Sequence, residues 1–272
     1  MKLVRFNRTL VGLVSAIMGL NSAPAVEPIQ FHSHNDYLHE RPLWDALEAG
    51  VTSVEADVWK FWSGLYVSHF PIFGKSGSLE GWYLDPWRKA AVRQGATDWR
   101  QLWMDIKGPE GPVQEALLST LRGILGGEHG LGPRIILTGD DEAKKTLAKT
   151  LSAIPGVAGR FEIDRREFDG SDPFRKGVTD PWGWYSLSWS EHFTWDGKGC
   201  MPIAEWAKIN AQVAAIHSKG RRVRYFHVPS TLAWVRVAHE AGVDLIDVDD
   251  LSLPGRLKKE NPRAPASVCP RI

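Results

Sequence analysis

Three short stretches place ionisable residues at alternate positions. They are His32 and His34 in His32-Ser33-His34-Asn35-Asp36, Glu55 and Asp57 in Val54-Glu55-Ala56-Asp57-Val58, and Asp105 and Lys107 around Ile106, with His69 downstream of the second. On a strand, side chains two residues apart share a face. So many ionisable groups on the inner faces of neighbouring strands do not suit a plain core, because a buried charge must be paired. Close carboxylates repel unless a proton or a cation stands between them. An all-oxygen set suits a hard divalent ion such as Mg²⁺ or Ca²⁺. Glu55, Asp57 and Asp105 therefore read as metal ligands, with Lys107 nearer the strand end to neutralise a phosphate oxygen. His34 and His69 read as an acid–base pair flanking one substrate. His32 shares a face with His34 one layer deeper and reads as a hydrogen-bonding support. The competing reading is a buried salt-bridge network joining Lys107 to the three acids.

These residues need strands to hold them, and the chain supplies them in alternation with helices. Ile29–Asn35 reads as a first strand and Pro42–Glu48 as a helix ending at Gly50. Ser53–Lys60 is the second strand, with Leu65–Phe70 as a short partner across Ser63-Gly64. Helices are expected at Pro86–Gln94, Val113–Leu125, Asp141–Ala153, Ile203–Ser218 and Ser230–His239. Further strands fall at Leu102–Lys107, Arg134–Thr138, Arg160–Asp164, Trp184–Trp189, Arg222–Val228 and Val243–Val248. Eight such strands predict an α/β chain folded as one (β/α)8 TIM-type barrel, with a doubly wound open sheet as the alternative. His34, Asp57, Lys107, Asp140, Asp164, His227 and Asp249 all fall at C-terminal strand ends, where a barrel gathers its chemistry.

The chain has 272 residues, with 33 basic against 32 acidic, so no basic stripe argues for nucleic acid. Lys2, Arg5 and Arg8, then apolar Leu10–Leu20, then Ala23-Pro24-Ala25 read as a cleavable signal over residues 1–25. That predicts a secreted or periplasmic protein whose barrel spans residues 26–272, with a Pro- and charge-rich tail from Leu253 wrapping the surface. Cys200 and Cys269 are the only cysteines. In an exported protein they can close one disulfide around the tail, and their spacing excludes a paired-cysteine zinc site. Thirteen tryptophans suggest either core packing or an amphipathic surface for lipid or sugar.

His34-Asn35-Asp36-Tyr37, Ser53-Val54-Glu55-Ala56-Asp57-Val58, Leu65-Tyr66-Val67-Ser68-His69 and Asp105-Ile106-Lys107 together resemble the phospholipase C-like phosphodiesterase superfamily. That group includes glycerophosphodiester phosphodiesterases, phosphatidylinositol-specific phospholipase C and sphingomyelinase D. Tyr83-Leu84-Asp85-Pro86 is similar to a glycerophosphodiesterase-like branch. The resemblance implies a TIM-type barrel and a single divalent cation, with Mg²⁺ favoured over Ca²⁺. It implies His34 and His69 as the catalytic pair, Glu55, Asp57 and Asp105 as ligands, and Lys107 on phosphate. Glycerophosphodiesterases usually follow the first His with Pro-Glu-Asn-Thr, whose Glu binds metal. Here Glu40-Arg41-Pro42-Leu43 stands there, and the three-carboxylate set is closer to sphingomyelinase D. The expected substrate is a glycerophosphodiester, lysophospholipid or related diester, with peripheral membrane contact. The expected reaction is attack by a substrate hydroxyl to give a cyclic phosphate, with His34 as base and His69 as acid.

Asn35, His227, Asp249 and Trp189 are further candidates for contact with substrate, Asp249 through a headgroup. Trp184, Trp189 and Trp195 are candidates for an apolar wall at the mouth. Glu191-His192 lacks the partner of a zinc-protease motif, and Ser186, Ser188 and Ser190 lack a nucleophile elbow. The non-enzyme alternative is a degenerate barrel binding lipid or glycan through a Trp-rich rim.

Overall fold

Strand β2 (Ser53–Phe61) shows how the sequence sorts itself. Val54, Ala56 and Val58 join the main apolar core, so Ser53, Glu55 and Asp57 take the opposite face. Strand β5 (Gln101–Ile106) repeats the pattern, with Leu102, Met104 and Ile106 in that core and Gln101, Trp103 and Asp105 turned inward. The structure is a computed structural model that describes residues 29–61, 64–71, 74, 76–94, 101–107, 111–125, 133–157, 159–170, 181–260 and 265–269. The expected signal at residues 1–25 lies outside the described residues.

The other strands are β1 (Phe31–Ser33), β3 (Gly64–Val67), β4 (Gly77–Ser78), β6 (Arg134–Gly139), β7 (Phe161–Arg165), β8 (Trp182–Ser188), β9 (Arg222–Phe226) and β10 (Leu245–Val248). Parallel pairing runs β1-β10-β9-β8-β7-β6-β5-β2, and β1 also pairs with β2, which closes an 8-strand barrel. The barrel expectation therefore holds against the open sheet. β3 and β4 extend β2 as an antiparallel flap, with Val58 opposite Val67. The helices are α1 (Trp44–Glu48), α2 (Asp85–Gln94), α3 (Pro112–Leu125), α4 (Asp141–Ser152), α5 (Trp189–His192), α6 (Ile203–His217), α7 (Leu232–Glu240) and α8 (Ser252–Lys259). The Pro- and charge-rich tail expected from Leu253 begins within α8. Leu253, Pro254 and Leu257 bury one side of it while Arg256, Lys258 and Lys259 sit in its last turn.

Inside the barrel, Trp103, Ile136, Trp184 and Leu245 form a separate buried cluster. Trp103 and Trp184 meet edge to face at 5.2 Å. Trp103 precedes Asp105 by two positions, so this apolar plug lies under the polar residues as a floor. That corrects Trp184 as part of the mouth. Trp189 and Trp195 are corrected too, because both are buried in the main core. Trp189 stacks on Phe193 at 4.1 Å and packs edge-on against Trp234 at 4.6 Å. An indole removes more apolar area from water when enclosed on all sides than when lining a wet rim, and its N–H finds the Trp195 carbonyl at 2.9 Å.

Two strand-end carboxylates also leave the mouth. Asp140 caps α4 by accepting from the Ala143 N–H at 2.8 Å. Asp164 is fully buried, accepting from Lys144 Nζ and Thr138 Oγ1, each at 2.8 Å. Lys144 lies on α4, so this ion pair bolts the helix to β7. Removing one partner strands the other charge in low dielectric. We expect Asp164→Ala to lower unfolding free energy by about 3–5 kcal/mol, measured by urea denaturation, with no change in ion binding at the mouth. Cys200 and Cys269 are bonded, and Met201 pairs with Val268 beside them. Replacing both cysteines by serine is expected to lower stability by about 2–4 kcal/mol in the same assay, relative to the oxidised protein.

Candidate active site

The centre of the site follows from the register of two strands. Asp57 on β2 pairs with Asp105 on β5, and Glu55 lies two residues below Asp57 on the same face. Each of Glu55, Asp57 and Asp105 offers a carboxylate oxygen, and these lie within 4.8 Å of one another, all buried. Lys107 Nζ stands 2.9 Å from Asp105 Oδ2 and 3.7 Å from Asp57 Oδ1. Arg166 Nη2, just past β7, reaches Asp105 Oδ2 at 3.1 Å. Below them, buried Arg224 on β9 stands 3.6 Å from Glu55 Oε1 and 3.4 Å from Asp247, with its guanidinium 4.3 Å over Trp103.

The salt-bridge reading leaves acceptors unmet. Glu55 Oε2 and Asp105 Oδ1 are buried without a hydrogen-bond partner. An unmet buried acceptor is costly. An all-oxygen trio with two unsatisfied oxygens fits a hard divalent cation. Burial pushes the Asp57 carboxyl up to about 6; Lys107 opposes this, while Asp105 and Glu55 add to it. Burial also acts to raise Glu55, yet the Arg224 guanidinium and neighbouring imidazoles hold it well below the usual carboxylate range. Gly139, at φ +97°, lies against the trio, where a Cβ would overlap Asp105 Oδ1 and the Ile106 backbone.

The loop after β1 brings His34 to this centre, and the end of β3 brings His69. Asn35 turns the chain with φ 49°. Asp36 then anchors the loop, accepting from the Leu43 N–H at 2.6 Å and the Tyr83 hydroxyl at 3.0 Å. His34 Nε2 stands 3.5 Å from Glu55 Oε2, and its Nδ1 is 3.2 Å from Asp249 Oδ1. Burial works against its charged form, but the Asp249 bond with the Glu55 and Asp247 charges outweighs it and raises the ring to about 9. His69 follows β3, half exposed, with Nδ1 3.4 Å from Asp57 Oδ2. His32 stays buried, bonded through Nδ1 to Ser53 Oγ at 2.7 Å, and burial with the Arg224 charge lowers it to about 3.

The structure thus gathers His34, Asn35, Glu55, Asp57, His69, Asp105, Lys107 and Asp249 at one end of the barrel. His227, at φ 54°, faces His34 edge to face with ring centroids 6.4 Å apart. Asp249, expected on a headgroup, is engaged with His34. Arg41, at the place of the family's usual metal-binding glutamate, turns away to Asp45 and Glu48 on α1. Tyr37, Arg166 and Arg224 carry site contacts that the sequence did not single out. Arg224 had a signal, since Arg222-Val223-Arg224 alternates like Glu55-Ala56-Asp57. Arg166, beyond its strand, had none.

Comparison with known proteins agrees with this geometry. Residues 21–104 match the AIM6-like phosphodiesterase domain, a stretch that carries His34, Glu55, Asp57 and His69 and ends just before Asp105. An altered inheritance of mitochondria protein 6 homolog of Arthroderma benhamiae is 40% identical over 68 residues, which is 22% of this chain and 22% of that protein. Altered inheritance of mitochondria protein 6 of Saccharomyces cerevisiae is 51% identical over 45 residues, 16% of this chain and 11% of that protein. These matches span only those shares of the relatives' lengths. A glycerophosphodiester phosphodiesterase of Agrobacterium tumefaciens superposes with TM-score 0.53 at 14% identity, covering 85% of this chain and 100% of its own. One from Parabacteroides distasonis gives TM-score 0.53 at 15% identity, covering 85% and 95%. At such identities the likeness is one of fold. Motif order and barrel together bear out the resemblance to the glycerophosphodiesterase and phospholipase C-like superfamily.

If the trio holds a cation, Mg²⁺ will raise the melting temperature of the purified protein and EDTA will reverse the rise. Gly139→Ala, which displaces Asp105, is expected to abolish that shift; a full Mg²⁺ response in this variant would contradict the assignment of Asp105.

Proposed function

We propose that this chain is a metal-dependent phosphodiesterase acting on glycerophosphodiesters, lysophospholipids or related headgroup diesters. One observation carries the proposal: three buried carboxylates with ligand oxygens within 4.8 Å of one another stand beside Lys107 and between two imidazoles. Glu55, Asp57 and Asp105 would hold the ion, a hard divalent cation such as Mg²⁺ or Ca²⁺, because all donors are oxygen. Such an ion, when bound, polarises phosphoryl oxygens as a Lewis acid.

The protein's own groups do the rest. Lys107 adds a fixed positive charge for a phosphoryl oxygen. His34 and His69 approach different carboxylates of the trio, Glu55 and Asp57, which suits two proton transfers around one phosphorus. One imidazole takes the proton of a substrate hydroxyl next to the diester. That oxygen bonds phosphorus, the bond to the leaving oxygen breaks, and the other imidazole protonates the leaving oxygen. The product is a cyclic phosphate, which water can open.

Leu38 and Phe70 are exposed apolar side chains next in sequence to Tyr37 and His69. They support contact between the mouth and the apolar part of a lysophospholipid or a membrane surface. The Cys200–Cys269 bond supports an oxidising, exported setting, in keeping with the signal proposed at residues 1–25. Among the described residues, the exposed large apolar side chains are Leu38, Phe70 and Ile203, and none is a tryptophan.

Phosphorus NMR tests the proposal. Incubated with glycerophosphocholine, lysophosphatidylcholine and glycerophosphoinositol in Mg²⁺, the protein is expected to yield a cyclic or monoester phosphate. EDTA should abolish the signal, and His34→Ala should reduce the rate by about 10²–10⁴-fold. No turnover of any diester by a protein that binds Mg²⁺ would refute this substrate class.

A further inference from the structure

One hydroxyl reaches three groups of the site at once. Tyr37 Oη lies 2.8 Å from Asn35 Oδ1, 2.9 Å from Asp57 Oδ2 and 3.0 Å from His69 Nδ1. The ring is fully buried and held by the loop that Asp36 anchors, so the hydroxyl is not free to choose other partners. A phenol carries its proton at neutral pH.

That proton can be donated only once. The Asn35 and Asp57 oxygens are acceptors with no proton to give, so both need the phenol as donor. The charged Asp57 oxygen is the stronger acceptor. With the proton aimed at Asp57, the phenol presents a lone pair to His69. Nδ1 satisfies that contact only as a donor.

We infer that Tyr37 is a positioning residue that accepts the Nδ1–H of His69 while donating to Asp57 Oδ2, which leaves Nε2 as the nitrogen that exchanges protons with substrate. The arrangement rests on the phosphodiesterase proposal for its purpose, though not for its geometry. It fixes the tautomer of a half-exposed imidazole and sets its ring plane. It also engages one oxygen of Asp57, so that Oδ1 is the oxygen left for an ion or for Lys107. A free histidine side chain in water favours the opposite tautomer, with the proton on Nε2. The sequence expectation made His69 a general acid; the inference specifies the atom that does the work in either direction.

Nitrogen NMR of protein labelled with ¹⁵N-histidine reads the tautomer without any substrate. His69 is assigned by loss of its signals in His69→Gln. In the wild type, neutral His69 is expected to show a protonated Nδ1 and an unprotonated Nε2. In Tyr37→Phe, which keeps the ring and loses the oxygen, that preference should revert towards Nε2–H. An Nε2–H tautomer in the wild type, or an unchanged pattern in Tyr37→Phe, would overturn the inference. Kinetics with whichever diester the wild type cleaves supplies the second readout. Tyr37→Phe is expected to lower kcat about tenfold or more with KM within about twofold, as loss of orientation does. An equal loss in KM alone would count against a positioning role. If the wild type cleaves no diester, the phosphodiesterase proposal fails, while the tautomer result still decides the geometry.

Discussion

Three carboxylates buried within one barrel interior are the constraint to which everything around them answers. Their mutual repulsion would oppose closure of β2 against β5 if nothing offset it. The fold places a cation on each side: Lys107 and Arg166 above, at Asp105, and Arg224 beneath, between Glu55 and Asp247. Two oxygens still lack a hydrogen-bond partner, Asp105 Oδ1 and Glu55 Oε2, the latter with His34 Nε2 3.5 Å away. A site balanced in full would be a salt-bridge core with no room for an ion. One with unpartnered oxygens has donors that a hard cation could take up.

The loop after β1 translates that constraint into geometry for proton transfer. Asp36, inside the His34-Asn35-Asp36-Tyr37 motif, touches none of the trio. It receives the Leu43 amide and the Tyr83 hydroxyl instead, and so ties the loop to the segment that precedes α2. His34, before it, then falls beside Glu55, and Tyr37, after it, beneath His69. A four-residue motif thus divides its work: two outer residues serve the site while the acid between them sets the loop that carries both.

Much of this was legible because strand alternation is a rigid code. Glu55 and Asp57 had to face inward once Val54, Ala56 and Val58 faced the helices, and Asp105 followed for the same reason on β5. Contacts made across long stretches of chain were not legible. Tyr37 meets partners 20 and 32 residues away, and no periodicity links them. The tryptophans misled in another way. Residue type says that Trp189 is large and amphipathic, and it does not say which side of the wall the ring occupies. Its place at the start of α5 puts it among Phe193, Tyr225 and Trp234 rather than at the mouth. Asp164 and Asp140 show the same limit, since a carboxylate at a strand end serves a helix as readily as a substrate.

The floor made by Trp103, Ile136, Trp184 and Leu245 has a kinetic side. It fills the barrel interior below Asp57 and Asp105, level with Glu55 through Trp103, so the polar residues face the C-terminal end of the strands. Whatever enters from that end must leave by it. Under the proposed function a departing alcohol and an arriving diester would contend for that opening, and turnover would be sensitive to accumulated product.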